Sequence, residues 1–212
     1  MESNTFVEFA LSREALKFGE FTLKSGRVSP YFFNAGSFNQ GADFSRLGQF
    51  YADTLIRSGI DFDGLFGPAY KGIPLATSVS VALNDHHDRS VAVTFNRKEA
   101  KTHGEAGTLI GAPLGGNIVI VDDVITAGTA IRESISMIEE AGAKPAAVIV
   151  ALDRQEQGPG GKSAIQEIEL VHKIPVLAIA TLENLLEFAR KNDGLSKQLE
   201  QLTAYRQTYG IQ

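Results

Sequence analysis

Four consecutive β-branched residues, Ile118-Val119-Ile120-Val121, constrain this chain more than any other feature. A run without polar alternation has no face to offer to water. It reads as a strand buried on both sides, the mark of a parallel sheet covered by helices. Two further buried runs follow at residues 146–152 and 176–180, and a short one at 65–66 is broken by Gly67-Pro68. Between these runs lie segments with the helical period. Phe44, Leu47, Tyr51 and Leu55 share one face of a helix closed by Gly59, and Ile131, Ile135 and Ile138 share a face of another that stops at Gly142. Residues 73–83 read as a helix with Pro74 in its first turn, where a missing N–H costs little, and residues 90–95 as a strand. The alternation predicts an α/β fold with a central, mostly parallel sheet flanked by helices.

Two segments fall outside the alternation. Residues 5–18 read as a helix ending at Gly19, with short strands at 21–23 and 28–34 on either side of Lys24-Ser25-Gly26. This part precedes the α/β pattern and is expected to form a small cap, or hood, from about residue 1 to 40. Residues 99–116 hold five glycines (Gly104, Gly107, Gly111, Gly115, Gly116) and little periodicity. A long loop of this kind inside a compact domain is often a mobile lid. The 212 residues are expected to form a single domain.

Composition removes several functions. There is no cysteine, hence no disulfide, thiolate nucleophile or cysteine-held zinc. A net charge of -5 argues against nucleic-acid binding, which wants a basic face. The first residues carry no basic stretch followed by an apolar run, and no apolar segment approaches the ~20 residues that span a bilayer. A cytoplasmic protein, with no membrane and no nucleic acid as partner, is expected.

The chemistry gathers after the β-branched strand. Asp122-Asp123-Val124-Ile125-Thr126-Ala127-Gly128-Thr129-Ala130 runs from the strand's carboxyl end into the start of a helix. Ligands of open α/β sheets bind at that edge. Free N–H groups at the helix start, with the hydroxyls of Thr126 and Thr129, make an anion site, and Gly128 lets the backbone approach a phosphate. The two carboxylates repel a phosphate and should face something else; ribose hydroxyls or a bound Mg²⁺ are good partners. One acid could simply cap the helix, but a pair is poorly explained by capping.

This stretch resembles the phosphoribosyl pyrophosphate signature of the type I phosphoribosyltransferases. Lys24-Ser25-Gly26, Pro30-Tyr31-Phe32-Phe33-Asn34, Gly67-Pro68-Ala69-Tyr70-Lys71-Gly72 and Asn96-Arg97-Lys98-Glu99-Ala100-Lys101 narrow the resemblance to the orotate phosphoribosyltransferases, in the family's order. It spans about residues 24–154. The resemblance implies a type I phosphoribosyltransferase fold and a Mg²⁺-dependent transfer of the 5-phosphoribosyl group from phosphoribosyl pyrophosphate to orotate. The products are orotidine 5'-phosphate and pyrophosphate, a step of de novo pyrimidine (UMP) biosynthesis. It implies a homodimer whose lid closes over the partner's site. Lys101, Asp122 and Asp123 become the catalytic group. Phosphoribosyl pyrophosphate is expected at Lys24, Tyr70, Lys71, Arg97, Lys98, Lys101, His103 and the run from Asp122 to Ala130, including Val124, Ile125 and Ala127. Orotate is expected at Phe32, Phe33, Thr126 and Arg154. A non-proline cis peptide before Tyr70 is also implied. Thr102 and Ala106 depart from the family's lid pattern, Lys-Asp-His-Gly-Glu-Gly, while Lys101, His103 and Glu105 keep it.

Read without the family, several of these residues stay open. Arg97, Lys98, Lys101 and His103 concentrate positive charge that a departing pyrophosphate needs, although charge runs are usually solvated. Lys71 is as easily a surface lysine as a ligand. Phe32 and Phe33 point opposite ways in a strand, and on sequence alone both suit a core. Arg154 can grip a carboxylate with two parallel hydrogen bonds, or pair with Asp153 or Glu156 at the surface. Gly158-Pro159-Gly160-Gly161-Lys162-Ser163 fails as a P-loop because its first glycine falls on Glu156. His86-His87 reads as a solvated turn. A purine or uracil phosphoribosyltransferase, and a non-enzymatic sensor of phosphoribosyl pyrophosphate, are the rival readings.

Overall fold

The computed structural model describes residues 2–101 and 107–211. The β-branched run lies in a strand, Asn117–Val121, whose last four residues are all buried. In chain order the elements are α1 (Glu2–Ser12), β1 (Leu16–Thr22), β2 (Val28–Phe33), α2 (Gly41–Ser58), β3 (Gly64–Gly67), α3 (Gly72–His87), β4 (Ala92–Lys101) and β5 (Gly107–Gly111). The β-branched strand is β6, followed by α4 (Thr129–Glu140), β7 (Lys144–Asp153), α5 (Ala164–His172), β8 (Val176–Thr181), α6 (Leu182–Arg190) and α7 (Ser196–Tyr209).

Six strands form the main sheet in the order β5-β4-β3-β6-β7-β8. All neighbours are parallel except β4 and β5, which are antiparallel. The central strands bury alternate residues on opposite faces. Leu65, Val119, Val121 and Ile149 join the core built with α1, α2, α3 and α6. Phe66, Ile118, Ile120, Val148 and Val150 join a second core beneath α4 and α5. Ile131, Ile135 and Ile138 of α4 are at most 1% exposed. Burial of side chains this size stabilises by about 1.5–3 kcal/mol each. In α2, Leu47, Tyr51 and Leu55 are buried on the predicted face, and Gly59 ends the helix in the left-handed conformation that favours glycine.

The chain leaves β3 toward β4 on one side and returns in β6 on the other. The strand order therefore reverses between β3 and β6, and the crevice outside their carboxyl ends is where such sheets bind ligands. The turns after β3, β6 and β7 supply the site described below.

Three expectations are corrected. The helix at 5–18 ends at Ser12, and residues 16–22 are a strand. Leu16, Lys17 and Phe18 pair with Phe33, Phe32 and Tyr31, so tertiary pairing overrides a locally helical pattern. The loop at 99–116 is partly regular. β4 continues to Lys101, and Gly107–Gly111 pairs back on it, with Phe95 opposite Ile110 and Asn96 opposite Leu109. Thr102, His103 and Ala106, expected in a lid, lie outside the described residues. His86 and His87 sit in the last turn of α3 rather than in a loop, with His87 Nε2 2.8 Å from Asp53 Oδ1. No helix among the described residues is long and apolar enough to cross a membrane.

Candidate active site

The strand β6 delivers Asp122 and Asp123 at its carboxyl end, and neither caps α4. The N-cap is Gly128, at φ 74°, a conformation that disfavours a side chain. Each acid instead accepts the N–H of the next residue: Asp122 Oδ1 from Asp123 at 2.9 Å, Asp123 Oδ1 from Val124 at 2.9 Å. The turn is stitched to β7, because Ala151 donates its N–H to the Asp123 carbonyl and Val124 bridges to Leu152. Tyr51 of α2 reaches through the core and donates its hydroxyl to the Asp122 carbonyl at 2.7 Å.

Residues 126–130 turn the chain into α4. The N–H groups of Thr129, Ala130 and Ile131, in the first helical turn, have no helical acceptor, and the helix dipole favours an anion there. Thr126, Ala127, Thr129 and Ala130 are exposed. Arg132 donates to the Ala127 carbonyl at 2.7 Å and meets Glu167 of α5 at 3.2 Å, which turns that carbonyl back onto the protein.

Across the crevice, the turn after β3 carries the cis peptide Ala69–Tyr70. Asn96 Oδ1 of β4 accepts the Ala69 N–H at 2.8 Å. Gly72 has no room for a side chain: a Cβ there would lie 2.5 Å from Pro68 Cδ and 2.8 Å from the Val121 carbonyl oxygen. This close approach brings Lys71 onto the acids, its Nζ 2.6 Å from Asp123 Oδ2. Tyr70 is 67% exposed, and Lys98 Nζ lies 5.0 Å from its ring centre. A cleft of about 360 Å³ runs between Pro68, Ala69, Asn96, Arg97 and Lys98 and the first turns of α4.

Burial and the neighbouring Asp123 charge push the Asp122 carboxyl up to about 7, against the hydrogen bond from Asp123 and the Lys71 charge. Burial, with Asp123 and Asp122 nearby, holds the Tyr51 hydroxyl well above its ordinary range. Two acids are thus kept close, Asp123 buried and Asp122 half-buried, with a lysine on only one of them. No group of three or more His, Asp or Glu among the described residues could hold a metal alone. The acids still fit Mg²⁺, which is commonly bound by one or two carboxylates and completed by substrate oxygens and water.

At the end of the neighbouring strand, Arg154 is folded inward rather than lying at the surface. Its side chain is 13% exposed and pairs with Glu156 at 2.6 Å, of the two acids weighed for it from the sequence. Its Cζ lies 4.3 Å from the centre of the Tyr31 ring. Phe33 is buried with Phe6 and Phe38, whereas Phe32 is 40% exposed and stacks on Phe21 at 5.4 Å. A ligand would meet the ring of Phe32 but not that of Phe33. Lys24 is exposed in the β1–β2 turn.

The structure therefore gathers Tyr70, Lys71, Asp122, Asp123 and the 126–130 turn at one crevice, with Arg97 and Lys98 along it. Lys101 ends β4, and His103 is outside the described residues. Sequence reasoning gave no site role to Tyr51, Asn96, Arg132 and Tyr205, and weighed Glu156 only as a surface partner of Arg154. Tyr51 reads as a core residue on a helix, and no local pattern links it or Tyr205 to a turn about seventy or fifty positions away in sequence.

Residues 35–167 match the phosphoribosyl transferase domain family, which sets the class that this crevice belongs to. The chain is 59% identical over 206 residues to an orotate phosphoribosyltransferase of Klebsiella pneumoniae, with 97% of each chain covered. It is 56% identical to that of Saccharophagus degradans, covering 98% of this chain and 97% of that one. The crystal structure of the Francisella tularensis orotate phosphoribosyltransferase superposes with a TM-score of 0.88 at 43% identity, covering 97% of this chain and 99% of that one. The chain belongs to the orotate phosphoribosyltransferase family.

Proposed function

We propose that the chain transfers the 5-phosphoribosyl group from phosphoribosyl pyrophosphate to N1 of orotate, giving orotidine 5'-phosphate and pyrophosphate in de novo pyrimidine biosynthesis. The observation that carries the reading is the turn at 122–130, where paired acids that do not cap the helix stand beside open helix-start N–H groups. The amides, with the hydroxyls of Thr126 and Thr129, bind the 5-phosphate. Asp122 and Asp123 bind the ribose hydroxyls and place C1 in the crevice. Asp122 and Asp123 would help hold a Mg²⁺ ion, which would supply positive charge against that of the leaving group.

Lys24, Tyr70, Lys71, Arg97 and Lys98 bind the donor, and Lys101 and His103 meet the departing pyrophosphate, where fixed cations stabilise the charge that develops. Orotate lies against Phe32 and the backbone at Phe33, with its carboxylate held by Arg154 and Thr126. No protein nucleophile is needed: positioning of N1 opposite the leaving group supplies most of the acceleration. Residues 1–212 act as a single phosphoribosyltransferase domain, about 1–40 forming the hood and about 99–116 the lid. Two copies form a cytoplasmic homodimer in which each lid closes over the other's site and keeps water from C1.

One assay tests the reaction. Purified protein is mixed with Mg²⁺, phosphoribosyl pyrophosphate and, in separate reactions, orotate, uracil or hypoxanthine. Orotate alone should be consumed, with stoichiometric pyrophosphate. Consumption of uracil or hypoxanthine in its place would overturn the substrate assignment, and binding of the donor with no base consumed would make the protein a sensor.

A further inference from the structure

Arg154 is not free to choose its own orientation. Its Nε and Nη2 both reach Glu156 Oε1, at 2.7 and 2.6 Å. Nη2 also donates to Ser29 Oγ at 3.0 Å and to the Tyr205 hydroxyl at 3.4 Å. The Tyr205 hydroxyl in turn donates to Glu156 Oε1 at 2.8 Å, and Ser29 donates to the Tyr31 carbonyl at 2.7 Å. The two N–H groups of Nη2 face three oxygens, Nε donates to Glu156, and Tyr205 links back to Glu156, so the triangle of Arg154, Glu156 and Tyr205 is closed. The Tyr31 ring lies against the guanidinium, and Tyr205 meets that ring edge-on at 6.2 Å. One edge of the guanidinium is therefore fixed, and Nη1 has no hydrogen bond among the described residues.

Glu156 is itself held by the end of the chain. Gln155 adopts a left-handed conformation at φ 51°, with its N–H on Asp153 Oδ1 at 2.8 Å, and this turns Glu156 back toward Arg154. Glu156 bridges to Gly210, and Gln157 donates to the Tyr209 carbonyl at 2.8 Å and, through Nε2, to the Gly210 carbonyl at 2.8 Å. Arg27 at the base of the hood hairpin donates to the Gln157 carbonyl at 2.8 Å and lies 4.9 Å from the Tyr209 ring centre.

We infer that Glu156 and Tyr205 are positioning residues for base recognition: they fix the plane of the Arg154 guanidinium so that Nη1 meets the carboxylate of the incoming base, and the C-terminal helix α7 is part of the specificity apparatus. The inference rests on the proposed role of Arg154 toward orotate. A long, flexible arginine loses rotamer freedom when it binds, and a guanidinium ordered beforehand loses less. Glu156 acts through the place of its oxygen rather than through its charge, because a second negative charge beside Arg154 opposes an anionic base.

Three variants separate these roles. Tyr205→Phe keeps the ring and removes the hydroxyl. Glu156→Asp keeps the charge and withdraws the oxygen by one methylene. Glu156→Gln keeps an acceptor oxygen in place and removes the charge. Steady-state KM for orotate and for phosphoribosyl pyrophosphate, with kcat, is measured for each, with thermal unfolding confirming the fold and Arg154→Ala run in parallel. A hydrogen bond of ordinary strength corresponds to a rise of about three-fold to ten-fold in orotate KM for Tyr205→Phe and Glu156→Asp, well above any rise in donor KM. Glu156→Gln should rise less than Glu156→Asp. Orotate KM within about two-fold of wild type in both Tyr205→Phe and Glu156→Asp, or equal changes in the two KM values, overturns the positioning role. If Arg154→Ala also leaves orotate KM unchanged, the assignment of Arg154 itself is what fails.

Discussion

Replacing Asp122 with Asn should stabilise the protein while disabling it, and the gain should depend on pH. The Asp122 carboxyl is raised from the ordinary 3.8 to about 7, first by burial and then by the Asp123 charge. A carboxyl raised on folding takes up a proton that the unfolded chain has already lost. The Asp122 contribution to stability therefore falls as pH rises from about 4 to about 7, and stays at the lower level above that. At about 1.36 kcal/mol for each pH unit between the two values, the ceiling is ~4 kcal/mol. Asp122 is only half-buried, so solvent screening brings the expected figure to about 2 kcal/mol. Asn keeps an oxygen to accept the Asp123 N–H and carries no charge at any pH. For a chain of this size ~2 kcal/mol corresponds to a Tm difference of about 4–8 °C. The assay is thermal unfolding of wild type and Asp122→Asn from about pH 4.5 to about pH 8. The variant's advantage should be small at the acid end and widen toward neutrality. A constant difference across that range, or an advantage that grows toward acid, would refute the burial argument. In the same variant kcat/KM should fall about ten-fold to a hundred-fold, the worth of a hydrogen bond to a charged group.

Three more outcomes follow from the site. Lys101→Ala should lower kcat about a hundred-fold or more with an unchanged unfolding curve, since a cation at the leaving group is worth that much; wild-type turnover would remove the lid from the mechanism. Arg154→Lys should raise orotate KM about ten-fold, and more than donor KM, because a single ammonium cannot stay on Glu156 and Ser29 and also present a fixed N–H to the base; the reverse order contradicts the assignment. Gly72→Ala places a Cβ 2.5 Å from Pro68 Cδ and must move the Lys71 turn. It should cost about 1–3 kcal/mol in unfolding free energy and reduce activity together, and an unaltered Tm would show that the packing is looser than described.

What the sequence reveals depends on whether the determining contacts are local. The run at 118–121, the helix closed by Gly59 and the acid-to-helix turn are short-range patterns, and each is present where expected. Residues 16–18 misled because Gly19 is the first local stop after α1, while their strand state is set by partners at Phe33, Phe32 and Tyr31. β5 was hidden by its flanking glycines; its pairing to β4 shows only in the register of Ile110 against Phe95. α5 and α6 carry caps at Ser163 and Thr181 that were legible in principle, but the function does not draw attention to them. The setting of Arg154 was the least legible, because Ser29, Tyr205 and Gly210 are brought to it by three separate elements.

The central claim is that one turn grips a sugar phosphate by both ends. A crystal structure of the protein with phosphoribosyl pyrophosphate and Mg²⁺ tests it most directly. The 5-phosphate should accept hydrogen bonds from the amides of residues 126–130, with the ribose hydroxyls on Asp122 and Asp123. The donor bound elsewhere, with that turn empty, would contradict the account.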